Sequence, residues 1–244
     1  MPISPATRSV FDVRPVAGSA TVQVGIEVED KAGKPVTNFT PIHTKPMHLV
    51  TIGSGLQLVG HDHPTLDSGK FEGTVALPAP GKYVLFDKYD PAGPVPETID
   101  RFVLNTGGAR AVFAAPTWDF KTRTKTVDGL TFALAKGDLM VGMEMPIKVV
   151  VTDGNGKPAK LQTWLAAKGH MFASQAGAPA LYHFHPSGMV MGHGGMGHMG
   201  ARPKPGELIF DAKVEQAGPY RLFVDVMKPG SSTRTTVSFD VTAQ

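Results

Sequence analysis

The chain carries one histidine pattern twice, and this repeat constrains its fold more than any other feature. Residues 47–64 read MHLVTIGSGLQLVGHDHP, and residues 170–186 read HMFASQAGAPALYHFHP. In the first stretch His61 follows His48 by 13 residues, and His63 and Pro64 come directly after. In the second, His183 follows His170 by the same 13 residues, and His185 and Pro186 close it. Six of the nine histidines lie in these two triplets. A spacing kept this closely implies two copies of one scaffold, each built to present its triplet.

The segments around the triplets repeat in the same order. In the first copy residues 10–16 and 21–30 alternate apolar and polar side chains, as half-buried strands do. A Gly33-Lys34-Pro35 turn follows. Residues 47–52 and 56–63, separated by Gly53-Ser54-Gly55, read as a β-hairpin. Strands at 71–77, 83–89 and 98–104 complete the copy. In the second copy, 130–134, 146–153, the Gly156-Lys157-Pro158 turn, the 170–185 hairpin, 207–214, 220–223 and 235–241 follow the same sequence of elements. About seven short strands per copy, divided by the turns that 28 glycines and 21 prolines supply, predict an all-β protein. Its form is two tandem antiparallel β-sandwiches, Ig-like or cupredoxin-like, spanning 1–112 and 113–244 and joined near 108–125.

Composition narrows the function. Hydrophobic residues make up 41% of the chain, enough for two cores. No apolar run approaches the roughly 20 residues of a membrane-spanning helix. There are no cysteines, which removes disulfides, thiol catalysis and cysteine-ligated metal sites. The net charge is +3. The one tight basic cluster, Lys121, Arg123 and Lys125, lacks interleaved aromatics and reads as a solvated linker, so nucleic acid is not an expected partner. Nucleophile-elbow, zinc-protease and phosphate-loop motifs are missing, and the expected role is binding without catalysis.

The triplets carry the chemistry. Residues two apart in a strand share a face, so His61 and His63 point the same way, as do His183 and His185. If residue 52 pairs with 57, His48 falls opposite His61, and equal spacing places His170 opposite His183. Three neutral imidazoles then converge, a donor set suited to copper, with zinc as the second metal it would take. Asp62 lies between two of the histidines but on the opposite face. Met47 and Met171 also face away and read as core. Met140, Met143 and Met145, in the approach to the second copy, read as packing residues. The competing interpretation is a histidine network that only fixes the hairpin register.

The copies differ after the second triplet. From His63 to Tyr83 is 20 residues and from His185 to Tyr220 is 35. The added residues fall within 187–206, where Met189, Met191, His193, Met196, His198 and Met199 are spaced by glycine. Thioethers are soft ligands that favour Cu(I). This segment reads as a loop that gathers Cu(I), with its six Met and His side chains as auxiliary ligands. The different surroundings suggest Cu(II) for the first triplet and Cu(I) for the second.

The ordered elements Asp153…Gly156-Lys157-Pro158, Gly169-His170-Met171, His183-Phe184-His185-Pro186 and Gly218…Phe223 resemble a bacterial exported Ig-like or cupredoxin-like sandwich domain associated with copper and heavy-metal handling. The first copy shows Asp30…Gly33-Lys34-Pro35, Met47-His48-Leu49, His61-Asp62-His63-Pro64 and Gly81…Phe86, and departs from that domain's pattern at the residue before the lead histidine. The resemblance implies a periplasmic location, a metal-binding role with His48, His61, His63, His170, His183 and His185 as ligands, and a copper exporter, oxidase or other periplasmic copper protein as partner. Two other classes stay open at this point: a structural or interaction module of tandem Ig-like domains, and a metal-dependent enzyme.

Overall fold

A computed structural model describes residues 6–106, 108, 112–186 and 203–244. The described residues form sixteen strands and no helix. The strands are β1 (Thr7–Pro15), β2 (Thr21–Asp30), β3 (Met47–Gly53), β4 (Leu58–Asp62), β5 (Thr65–Asp67), β6 (Lys70–Ala76), β7 (Lys82–Tyr89), β8 (Thr98–Asn105), β9 (Thr124–Val127), β10 (Leu130–Lys136), β11 (Met145–Thr152), β12 (His170–Ser174), β13 (Tyr182–Phe184), β14 (Glu207–Ala212), β15 (Gly218–Met227) and β16 (Arg234–Ala243). The chain divides into two compact units, Met1–Pro116 and Thr117–Gln244.

Each unit is a pair of four-stranded antiparallel sheets. The first unit has the orders β1-β2-β6-β5 and β4-β3-β7-β8; the second has β14-β11-β10-β9 and β13-β12-β15-β16. β3, β4, β7 and β8 therefore correspond to β12, β13, β15 and β16. The copies part at the edges: β5 extends one sheet of the first unit and β9 one sheet of the second. Lys125, expected in a solvated linker, lies in β9 and pairs with Phe132 of β10. Arg123, one residue before that strand, accepts a backbone bond from Leu134.

The cores follow from period-two alternation. Val22, Val24, Ile26 and Val28 of β2 turn inward onto Met47 and Leu49 of β3 and onto Tyr83, Leu85 and Tyr89 of β7. In the second unit Ile147, Val149 and Val151 of β11 meet Met171, Leu222, Val224 and Phe239. Most of these side chains are fully buried, and each contributes about 2 kcal/mol by leaving water. Met47 and Met171 are core residues, as the sequence predicts. Met140 and Met143, expected to pack, are exposed (44% and 52%), and only Met145 packs against the core. The reason is local: Met140 and Met143 hold the ends of a turn (Met143 N–H to Met140 C=O, 3.2 Å) with Gly142 at positive φ, outside the named strands.

The repeated Gly-x-Tyr motif has a structural cause. The Tyr83 hydroxyl donates to the Ala79 carbonyl, and the Tyr220 hydroxyl to the Gln216 carbonyl at 2.9 Å. Each bond runs four residues upstream and pins the corner that leads into β7 or β15. This is the tyrosine-corner device of Ig-like sandwiches.

Candidate metal centres

The histidines stand on the sheet face turned away from the core. Met47 and Leu49 enter the core, so alternation sends His48 to the other side, and the same argument with Met171 and Ala173 places His170. The hairpin register differs from the expected one. Ile52 pairs with Leu58, not with residue 57, and an irregularity between Thr51 and Ile52 moves the ladder further, so that His61 pairs with Val50. In the second unit His183 pairs with Phe172. Leu49 with Asp62 and Met171 with Phe184 are the last pairs, which leaves His48 next to His63 and His170 next to His185.

The cause lies in the turn. Gly53 N–H bonds the Gln57 carbonyl (2.8 Å), Leu56 takes a left-handed conformation (φ 62°), and the loop closes later than a Gly-Ser-Gly turn would. The register ends two residues from the expected one. An even displacement keeps every side chain on its face, so the histidines still converge.

In the first unit His48 Nδ1 lies 3.1 Å from His61 Nε2 and 3.2 Å from His63 Nε2. In the second, His170 Nδ1 lies 3.3 Å from His183 Nε2, and the His170 and His185 rings meet edge to face with centroids 4.9 Å apart. Within each triplet one nitrogen per histidine lies within 4.8 Å of the others. Three nitrogens at 2.0–2.1 Å from a tetrahedral ion are separated by about 3.3 Å. The His48–His61, His48–His63 and His170–His183 separations match that value, and in both triplets the three nitrogens lie close enough together to hold a metal ion.

The lead histidine of each triplet is held by its other nitrogen. His48 Nε2–H donates to the Ile42 carbonyl (2.9 Å), and His170 Nε2–H to the Trp164 carbonyl (3.2 Å). A proton on Nε2 leaves the Nδ1 lone pair directed at the other two rings, the tautomer and orientation a metal ligand requires. Burial is the main cause that lowers the His48 pKa to about 4. The charges of Lys88, His43 and Lys45 act in the same direction, and the bond to Ile42 opposes them. His48 is therefore neutral at pH 7, the form that binds metal.

The carbonyls come from two tight turns six residues before each lead histidine. Ile42 and Lys45 exchange backbone bonds of 2.8 and 3.0 Å, and Trp164 and Ala167 exchange bonds of 2.7 and 3.0 Å. The central residues all have positive φ: His43 46°, Thr44 72°, Leu165 47° and Ala166 59°. These are type I′ turns, which favour Asn and Gly at both positions. Four other residue types in left-handed conformations are strained, and strain of this kind concentrates at functional sites. Sequence reasoning missed both turns because His43-Thr44 and Leu165-Ala166 lack turn chemistry. The available signal was their equal distance from His48 and His170.

Asp62 pairs with core-facing Leu49 and so lies on the face opposite the histidines. Met189, Met191, His193, Met196, His198 and Met199 fall outside the described residues.

Comparison with known proteins adds a family and a set of distant folds. A family model described as a domain of unknown function (DUF8832) matches residues 10–106 and 125–244. No curated protein matches the chain. Among solved structures, a chimeric titin Z1Z2 carrying a KLER exogenous peptide from decorin is 12% identical, with 99% of each chain covered and a TM-score of 0.23. The Escherichia coli adhesin FdeC is 12% identical over 99% of this chain and 65% of its own, with a TM-score of 0.28. The BSP domain of a biofilm associated protein is 10% identical over 98% of this chain and 30% of its own, with a TM-score of 0.25.

Proposed function

We propose a function from the two centres themselves, because the chain belongs to the DUF8832 family, a domain of unknown function. The protein binds copper in the bacterial periplasm and stores, withholds or delivers it. Each unit takes one ion through its triplet: His48, His61 and His63 in the first, His170, His183 and His185 in the second. The observation that carries this reading is the repeated geometry. In both units a lead histidine directs Nδ1 at its partners while a strained turn six residues upstream holds Nε2–H.

Three imidazoles accept copper or zinc. The sequence tips the choice to copper, because the methionines within 187–206 come soon after His185 and offer soft thioether donors for Cu(I). The role is to hold and pass on an ion, with a copper exporter, oxidase or other exported copper protein as the receiving partner. An exported compartment agrees with the resemblance of the repeated motifs to exported metal-handling domains. No helix of the described residues is long and apolar enough to cross a membrane.

The test is titration of the metal-free protein with Cu(I), Cu(II) and Zn(II), with His48→Ala and His170→Ala alongside. Two tight copper equivalents are expected, one lost with each substitution. Weak binding that neither substitution changes would make the triplets structural and favour an interaction module.

A further inference from the structure

The two centres share their ligands but not the charge around them. In the first unit His48 pairs across β3 and β7 with Lys88, and in the second His170 pairs across β12 and β15 with Asp225. Directly opposed residues on one face of a sheet have Cβ atoms about 5 Å apart. Lys88 is 8% exposed and Asp225 is fully buried, so little water screens either group from its histidine. Burial raises the Asp225 pKa, while the Arg234 charge and the bonds from Thr236 and Arg234 oppose that shift and favour the carboxylate.

Each of these residues belongs to an ion pair, and the two pairs have opposite polarity. Lys88 Nζ bonds Glu97 Oε1 at 2.9 Å, with the Glu97 side chain 45% exposed. Asp225 Oδ2 accepts from Arg234 Nη1 at 3.0 Å, with the Arg234 side chain 25% exposed, and Asp225 Oδ1 accepts from the Thr236 hydroxyl. In both cases the buried member faces the histidine and the partner lies nearer solvent. Solvent weakens the outer charge more than the inner one, so the inner one sets the field at the metal.

The remaining neighbours follow the same trend. Lys88, Lys45 and, when protonated, His43 act on His48. Burial and the Lys88 charge lower the His43 pKa, so at neutral pH the positive charges there are those of the two lysines. The positions equivalent to Lys88, His43 and Lys45 in the second unit hold Asp225, Leu165 and Ala167. Arg234, paired with Asp225, lies over the Trp164 ring at 5.8 Å, and Lys168, two residues before His170, is exposed to solvent.

We infer that the second centre is the high-affinity site for divalent ions, and that the first, lined by positive charge, binds them more weakly. The inference rests on the metal-binding reading of the triplets. It reverses the order that the sequence suggests, in which the first triplet takes Cu(II).

Zn(II) is a suitable probe, being divalent and free of redox chemistry. Two variants of the 244-residue chain each retain one centre: His61→Ala/His63→Ala keeps the second, and His183→Ala/His185→Ala keeps the first. Competition with a chelator is expected to show Zn(II) at least about tenfold tighter in the protein that keeps the second centre. Lys88→Met should strengthen the first centre about tenfold, and Asp225→Asn should weaken the second to a similar degree. Lys88→Met keeps the aliphatic stem and removes only the charge, so it remains informative if Asp225→Asn disturbs folding. Equal affinities, or affinities that neither substitution moves, would overturn the inference and leave the metal-binding reading standing. No binding of Zn(II) or copper by either protein would overturn both.

Discussion

Asp87 and Asp100 face one another across the β7–β8 pair, on the core side of the first sandwich. Ser9 of β1 ties them together: its hydroxyl donates to Asp87, and its backbone N–H donates to Asp100 Oδ2 at 2.6 Å. The Tyr89 hydroxyl donates to the same Asp100 oxygen at 3.0 Å. The second unit has Val224 and Val237 at the equivalent pair, so this acid pair, with Asp87 buried and Asp100 half-buried, has no counterpart there.

Burial raises the Asp87 pKa from 3.8 to about 7. The Ser9 bond opposes the shift and the charge of Asp100 adds to it. A carboxyl group raised on folding keeps its proton in the native state while the unfolded chain releases it. The resulting stability is complete below about pH 4 and is lost as pH rises through 7. Relative to Asp87→Asn, the wild type should lose roughly 4 kcal/mol between pH 4 and pH 8. Urea unfolding across that range checks this. Trp118 and Trp164 both lie in the second unit, so loss of structure without a tryptophan signal reports the first. Parallel stability curves for the two proteins would show that Asp87 titrates normally.

Thr44 is exposed, β-branched and held at φ 72° in the turn that supplies the Ile42 carbonyl. A glycine there would relieve strain of about 1–3 kcal/mol and would add back about 0.5–1 kcal/mol of unfolded-chain entropy. Thr44→Gly should therefore stabilise the first unit by about 1 kcal/mol, with metal affinity unchanged because the carbonyl stays in place. Thermal unfolding and a metal titration test this together. A lower melting temperature would mean that the threonine makes contacts worth more than its strain.

Gly169 precedes His170 and lies against β15. An added Cβ would sit 3.1 Å from the Asp225 carbonyl oxygen and 3.0 Å from Leu208 Cδ1. Backbone oxygen cannot move aside as the end of a side chain can. Gly169→Ala should push β12 away from β15, cost about 1–3 kcal/mol and weaken metal binding at the second centre only. The equivalent position in the first unit is Met47, which opens the β3–β7 ladder opposite Tyr89, whereas the β12–β15 ladder begins only at His170. Site-resolved titration is the check, and an unchanged second centre would show that the sheet absorbs the methyl group.

Much of both the fold and the site was legible in the sequence. Alternation in residues 21–30 gave β2 to the residue, and alternation again put His61 beside His63 and Asp62 behind them. The hairpin at 47–63 was legible as a hairpin but not in its register, since Leu56 joins the turn in a left-handed conformation that nothing in its side chain announces. Lys125 looked like a linker residue because an edge strand of four residues is too short to show a period. Met140 and Met143 looked like core because hydrophobicity says nothing about the turn that carries them outward.

The sequence by itself determined the two tandem all-β units and the face on which each histidine lies. Both follow from strand geometry, which reverses the side chain at every residue and survives an even shift of register. Only the tertiary structure decided what surrounds the histidines. The carbonyls of Ile42 and Trp164 arrive through strained turns, and Lys88 and Asp225 arrive from β7 and β15, 40 and 55 residues along the chain. Sheet order made these contacts, and sheet order depends on how whole strands pack, which no local spacing records.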